Sequence, residues 1–160
     1  MLFPPGTPTT IPIISITGTN GKTTTTRLIA HILKNSGLTV GFTTTDGTYI
    51  GNQQIVAGDN TGPVSAQLVL KDPTVEAAVL ETARGGIIRA GLGFDHCDVG
   101  VVMNVAADHL GLKGVNTLED LARVKSVVPR AVSSKGYAVL NAEDPLVYKM
   151  REITDGHAFR

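Results

Sequence analysis

The sequence predicts an α/β fold: a mostly parallel sheet with helices on both faces. Three observations predict it. Short apolar runs alternate with helix-period stretches along the chain. A glycine-lysine loop, SITGTNGKTTTT at residues 15–26, joins the first apolar run to the first helical stretch. Polar residues follow four of the apolar runs directly: Gly18 to Lys22, Glu81, Asn104 to His109, and Asn141 to Asp144. In a parallel sheet those four positions share one edge, the edge where ligands sit.

The elements follow in order. Residues 11–17 are an apolar run suited to a buried parallel strand. Residues 23–36 carry apolar side chains at 28, 29, 32 and 33, one face of a helix, and Gly37 stands where a helix C-terminus takes a glycine. Residues 39–45 read as the second strand, and DGTYIGNQQIV as a hairpin beside it. Pro63, at a first-turn position, opens a helix through Leu70. A third parallel strand covers 77–80 and ends at Glu81; a fourth covers 98–105. Asn116 and Glu119 form a capping-box pattern that opens a helix through Val128, with Pro129 after it. A fifth strand covers 136–140, and Pro145 opens a last helix. The segment holding Arg84 and Arg89 reads as loop, and His157 as tail.

Composition narrows the function classes. The chain has 160 residues, 42% hydrophobic, a formal net charge of zero and no Lys/Arg block longer than two. A basic footprint for nucleic acid is therefore absent, and aromatics at 4% are too sparse for a base-stacking platform. No apolar run approaches the roughly 20 residues of a membrane span. The single cysteine, Cys97, excludes an internal disulfide and a thiolate cluster. It reads as a small buried residue in a cytoplasmic protein. Residues 1–10, rich in proline, read as a linker ahead of a domain over 11–160.

The loop has a chemical reading. Glycines let backbone N–H groups turn inward and let phosphates come close. The helix that follows adds its N-terminal partial positive charge. Lys22 can reach the outer phosphates, and the Thr23 hydroxyl can bind Mg²⁺. Gly18, Thr19, Asn20, Gly21, Lys22, Thr23 and Thr24 thus form a candidate triphosphate cradle. It is shorter than the general G-x-x-x-x-G-K-[ST] pattern: Ile16 stands where the first glycine would fall.

At TGTNGKTT the sequence resembles the Mur ligase superfamily, which includes the folylpolyglutamate synthetases and uses a shortened loop of this form. VLETARGG, NVAADHLG, LARVKSVV and VLNAEDP occur in the family's order at similar separations, so the resemblance spans residues 11 to about 150. The wording of ETARGGIIRAGLGFD and TTTDGTYI is similar to the branch that builds a polymer with an aspartate backbone and arginine side branches. The resemblance implies an ATP-dependent acid–amino-acid ligase. ATP phosphorylates a side-chain carboxylate of the polymer, and the arginine amine displaces the phosphate to form an amide. Peptidoglycan-precursor and folate-type ligases remain alternatives, as does a catalytically silent nucleotide-binding module.

The resemblance also implies roles. Lys22, Glu81, His109 and Lys125 are the catalytic set. Glu81 with Thr23 would hold one Mg²⁺, and His109 a second. Lys125, 16 residues after His109, matches a lysine that the family carbamylates: an ammonium repels Mg²⁺, whereas a carbamate can bind it. Asn141 matches a segment that contacts adenine. Arg84 and Arg89 are candidates for orienting a substrate carboxylate. His31, His96 and His157 read as structural or solvated. Implied partners are an ATP-grasp module and a C-terminal ligase domain of the same parent chain, in a homo-oligomer, with neither nucleic acid nor membrane. Without the C-terminal domain, these 160 residues are expected to bind ATP weakly and to ligate little.

Overall fold

The computed structural model describes residues 11–107, 111 and 114–159; the expected linker over 1–10, Asp108 and His109 lie outside them. Eight strands form one sheet: β1 (Ile13–Thr17), β2 (Val40–Thr44), β3 (Gly47–Ile50), β4 (Gln53–Ala57), β5 (Ala77–Glu81), β6 (Cys97–Val102), β7 (Val132–Leu140) and β8 (His157–Phe159). Their spatial order is β4-β3-β2-β5-β1-β6-β7-β8. The predicted hairpin supplies the antiparallel edge, β2 with β3 and β3 with β4. All other pairings are parallel. This is the α/β fold the alternation predicts.

Helices α1 (Lys22–Asn35), α2 (Pro63–Lys71), α3 (Arg84–Ala90), α4 (Leu118–Lys125), α5 (Val127–Arg130) and α6 (Pro145–Tyr148) connect the strands, and a 3-10 turn follows over Lys149–Glu152. The core has two halves. Ala30 of α1 packs with Ile16, Val40, Phe42 and Val79 on one side of the sheet. On the other side, Val69 of α2, Leu121 of α4 and Val147 of α6 pack with Ile13, Ala78, Leu80, Val102 and Leu140. The split follows from connection handedness. The connection from β1 to β2 crosses the sheet in one direction; those into β5, β6, β7 and β8 cross in the other. Right-handed crossovers of opposite direction land on opposite faces. Accordingly, β7 shows half-exposed Tyr137 on the α1 side and fully buried Ala138 on the other.

Several expectations need correction. The capping box lies one residue later: Thr117 Oγ1 accepts from Asp120 N at 3.0 Å, and Asp120 Oδ2 accepts from Thr117 N at 3.2 Å. Asn116 and Glu119 therefore do not form it. Asp and Glu both satisfy the motif's chemistry, and only the backbone angle at Thr117 chooses between the two frames. Pro129 does not follow the helix; it sits inside α5, after a break at Ser126. Arg84 and Arg89 lie on a short helix, not in a loop, and His157 opens β8. The fourth parallel strand stops at Val102, three residues early. Cys97 is buried as expected, and burial pushes its thiol pKa up to about 12. Among the described residues, no helix is long and apolar enough to cross a membrane.

Candidate functional site

The site forms where β1, β5, β6 and β7 end. β5 is buried along its length and β1 at every residue but Ile14, so the first residues free to turn toward a ligand are those at or just past their ends. The loop Gly18 to Gly21 follows β1, and Gly21 caps α1 with φ 84°, a left-handed value that glycine adopts without strain. No side chain caps α1. Thr25 N is bonded back to Gly21 O at 3.0 Å, so the N–H groups of Lys22, Thr23 and Thr24 precede the first helical bond. They form an anion-binding end. Gly18 is required for another reason: a Cβ there would stand 2.9 Å from the Cβ of Met103.

Glu81 ends β5 and is 2% exposed. Its Oε2 accepts from the Thr23 hydroxyl at 2.8 Å and from Thr45 N at 3.3 Å. Thr23 Oγ1 also lies 3.2 Å from Thr45 Oγ1. Glu81 Oε1 is buried with no hydrogen-bond partner. Burial raises the Glu81 pKa above the ordinary carboxylate range; the Thr23 hydrogen bond and the nearby Lys22 charge oppose that rise without cancelling it. A buried carboxylate with one oxygen unsatisfied, beside a threonine hydroxyl, suits a hard divalent cation. Among the described residues, no three His, Cys, Asp or Glu side chains gather as a metal cluster. A cation here would complete its shell with ligand or water oxygens.

Two lysines approach the loop. Lys22 Nζ donates to Thr19 O at 2.9 Å, folding over the loop from its own helix. Lys125 of α4, 2% exposed, donates through Nζ to Gly18 O at 2.8 Å. The structure thus brings Lys22, Thr23, Glu81 and Lys125 to one edge. It joins Thr23 to Glu81 and Lys125 to the loop backbone. The expected position of His109 lies outside the described residues.

The other polar residues are engaged in contacts of their own. Asn141 links two strand ends: Nδ2 donates to Met103 O, just past β6, at 2.9 Å, and Oδ1 accepts from Glu143 N in its own turn at 3.0 Å. Arg89 donates through Nε to Gly85 O at 3.3 Å along α3, and Arg84 opens that helix. Asp46 pairs with Arg27 at 2.8 Å on the surface. His31 bonds Asn35, and His157 packs beside Tyr137.

Two residues at this edge carry more than the sequence suggests. Asp144 Oδ1 caps α6, accepting from Leu146 N and Val147 N, while Oδ2 accepts from Val105 N at 2.7 Å. An aspartate before Pro145 is a legible helix start; its hold on Val105 is not. Asn104 contacts the glycine-lysine loop at two consecutive residues, Thr19 and Asn20. Nothing local in the sequence indicates that.

The Mur ligase middle domain model matches residues 16–160. A cyanophycin synthetase of Crocosphaera subtropica is 65% identical over 156 residues, which cover 98% of this chain and 18% of that protein. The chain thus spans under a fifth of the length of that relative. A solved UDP-N-acetylmuramoyl-L-alanyl-D-glutamate–2,6-diaminopimelate ligase superposes with a TM-score of 0.73 at 26% identity, over 92% of this chain and 31% of that one. The MurF ligase of Thermotoga maritima, solved in complex with ADP, gives a TM-score of 0.67 at 25% identity, over 92% and 32%.

Proposed function

The chain belongs to the Mur ligase middle domain family, and from that premise we propose that it is the ATP-binding domain of a cyanophycin synthetase, acting in the arginine-adding reaction. The domain spans 11–160 behind a linker over 1–10. One observation carries the reading. Thr23 and Glu81, 58 residues apart in sequence, meet at 2.8 Å beside a helix end without a side-chain cap, with a buried carboxylate oxygen unsatisfied. That arrangement suits Mg²⁺ and a triphosphate together, and an empty structural turn needs neither part.

The residues divide the work. The N–H groups that open α1 hold phosphate oxygens. Lys22 swings from Thr19 O to the outer phosphates and neutralises charge that builds there. Thr23 and Glu81 would hold a divalent cation, which would draw charge off the phosphate oxygens. A side-chain carboxylate oxygen of the polymer attacks the γ-phosphorus, and the bond from that phosphorus to the β–γ bridging oxygen breaks, releasing ADP. The arginine amine then attacks the acyl carbon, loses a proton, and expels phosphate as the C–O bond breaks. Arg84 and Arg89 would orient the polymer carboxylates, and Asn141 the adenine. His109 and a carbamylated Lys125 would serve a second Mg²⁺. Carbamylation would need the Lys125 amine to be neutral.

The parent protein would add an ATP-grasp module for aspartate and a C-terminal ligase domain. It would work in the cytoplasm as a homo-oligomer. The 160 residues alone would bind nucleotide weakly and ligate little.

The test follows ADP release by the parent protein with a short Asp-Arg polymer ending in free aspartate, with and without arginine, beside Lys22→Ala. Arginine-dependent release that disappears in the variant is expected. Release that survives Lys22→Ala would move the chemistry elsewhere and leave this domain a silent nucleotide-binding module. Turnover only with a muropeptide or folate acceptor would keep the ligase mechanism and discard the polymer.

A further inference from the structure

We infer that Asn104 is a positioning residue that locks the phosphate loop, and that by doing so it withdraws the Thr19 and Asn20 N–H groups from nucleotide binding. The carboxamide lies across the loop. Its Oδ1 accepts from Thr19 N at 2.9 Å and from Asn20 N at 2.9 Å, and its Nδ2 donates to Asn20 O at 3.2 Å. Two donors on one side and a carbonyl on the other fix which end of the amide is oxygen. The Asn104 main chain adds a bond, Thr19 N to Asn104 O at 3.0 Å. Two residues on, Ala106 N donates to Thr19 Oγ1 at 2.9 Å. The carbonyl of Gly18, at the other end of the loop, is held by Lys125.

The consequence is a division of donors. In a glycine-rich loop every inward N–H is a potential phosphate ligand. Here an oxygen of the protein already occupies the position before Thr19 and Asn20, where an anion would otherwise sit. The groups left to the nucleotide are those from Gly21 to Thr24, at the start of α1. The first half of the loop is a strut and the second half the cradle. Val105, the next residue along, is tied through Asp144 to the start of α6, so the strut is braced against a second strand end.

This inference rests on the nucleotide reading only for its second half. The experiment separates the halves by following amide hydrogen exchange at residues 18–25 of the intact chain, with and without Mg·ADP, in the natural protein, Asn104→Ala and Asn104→Asp. Without nucleotide, Asn104→Ala should speed exchange at Asn20 about tenfold, from the loss of the Oδ1 hydrogen bond, while Thr19 N keeps its bond to the main-chain carbonyl of residue 104. Asn104→Asp keeps a side-chain acceptor for Asn20 N and should restore its protection. Mg·ADP should protect 21–24 and leave Thr19 and Asn20 unchanged, and Asn104→Ala should weaken ADP binding by about tenfold. New protection at Thr19 and Asn20 on adding Mg·ADP, or unchanged exchange at Asn20 in Asn104→Ala, would overturn the inference. If the natural chain bound no ADP, the nucleotide reading would fail, and the nucleotide-free comparison would still decide whether Asn104 holds the loop.

Discussion

Replacing Glu81 with glutamine should separate stability from function in opposite directions. The carboxylate is 2% exposed, with Oε1 unsatisfied and Oε2 shared by Thr23 and Thr45. Its pKa is raised chiefly by burial. The folded state therefore holds this proton more tightly than the unfolded chain does. Stability from this group is full at pH below the ordinary carboxylate range and declines as pH rises through the folded pKa. Glu81→Gln removes the titration while keeping an oxygen for Thr23 and Thr45. Without metal, the variant should unfold at the same or higher urea concentration than the natural protein at pH 8, and the decline on raising the pH above the ordinary carboxylate value should flatten. Cation-dependent nucleotide binding should fall instead. A hydrogen bond or ligand contact to a charged group contributes about 1.5–3 kcal/mol, so Mg·ADP affinity should drop about 10- to 150-fold. Urea titrations across that pH range and calorimetric titration with Mg·ADP measure the two effects. A variant that lost more than about 1 kcal/mol at pH 8 while binding Mg·ADP normally would refute the assignment, since Glu81 would then be a structural acceptor only.

Other substitutions probe the site's supports. Thr117→Ala removes the cap of α4 and should cost about 1 kcal/mol in urea unfolding, whereas Asn116→Ala should change little. An equal cost for both would restore the earlier frame. The Asp120 pKa is held down, first by its hydrogen bond with the Thr117 side chain, so its contribution should fade as pH falls through that lowered value and shrink in Thr117→Ala, where the Asn116 and Thr117 N–H groups still donate to it. Lys125→Ala empties a buried volume and strips Gly18 O of its partner; a loss of about 2–4 kcal/mol is expected in the same assay. A nearly neutral result would show that the Lys125 contact contributes nothing to the folded state.

Helix and strand order was legible because hydrophobic period and turn chemistry are local. Pro63 and Gly37 stand where helix ends need them, and DGTYIGNQQIV reads as a hairpin from its own residues. The misreadings share a cause. RGGIIRA has two glycines and too few residues to show a period, so α3 is a helix made by packing on its neighbours rather than by propensity. HAF is three exposed residues and becomes β8 only by pairing with β7. Asn116 and Thr117 offer equivalent caps in sequence, and the backbone conformation selects one.

By itself the sequence determined a glycine-lysine loop between a strand and a helix, three later polar segments after strands, and hence the sheet edge that carries the site. Those are statements about neighbours in the chain. Only the tertiary structure decided which atoms meet there. Thr23 reaches Glu81 across 58 residues, Asn104 reaches Asn20 across 84, and Lys125 reaches Gly18 across 107. No local pattern encodes such pairs, because strand order and register place them. β1 lies between β5 and β6, so the loop that leaves it falls between Glu81 on one side and Asn104 on the other.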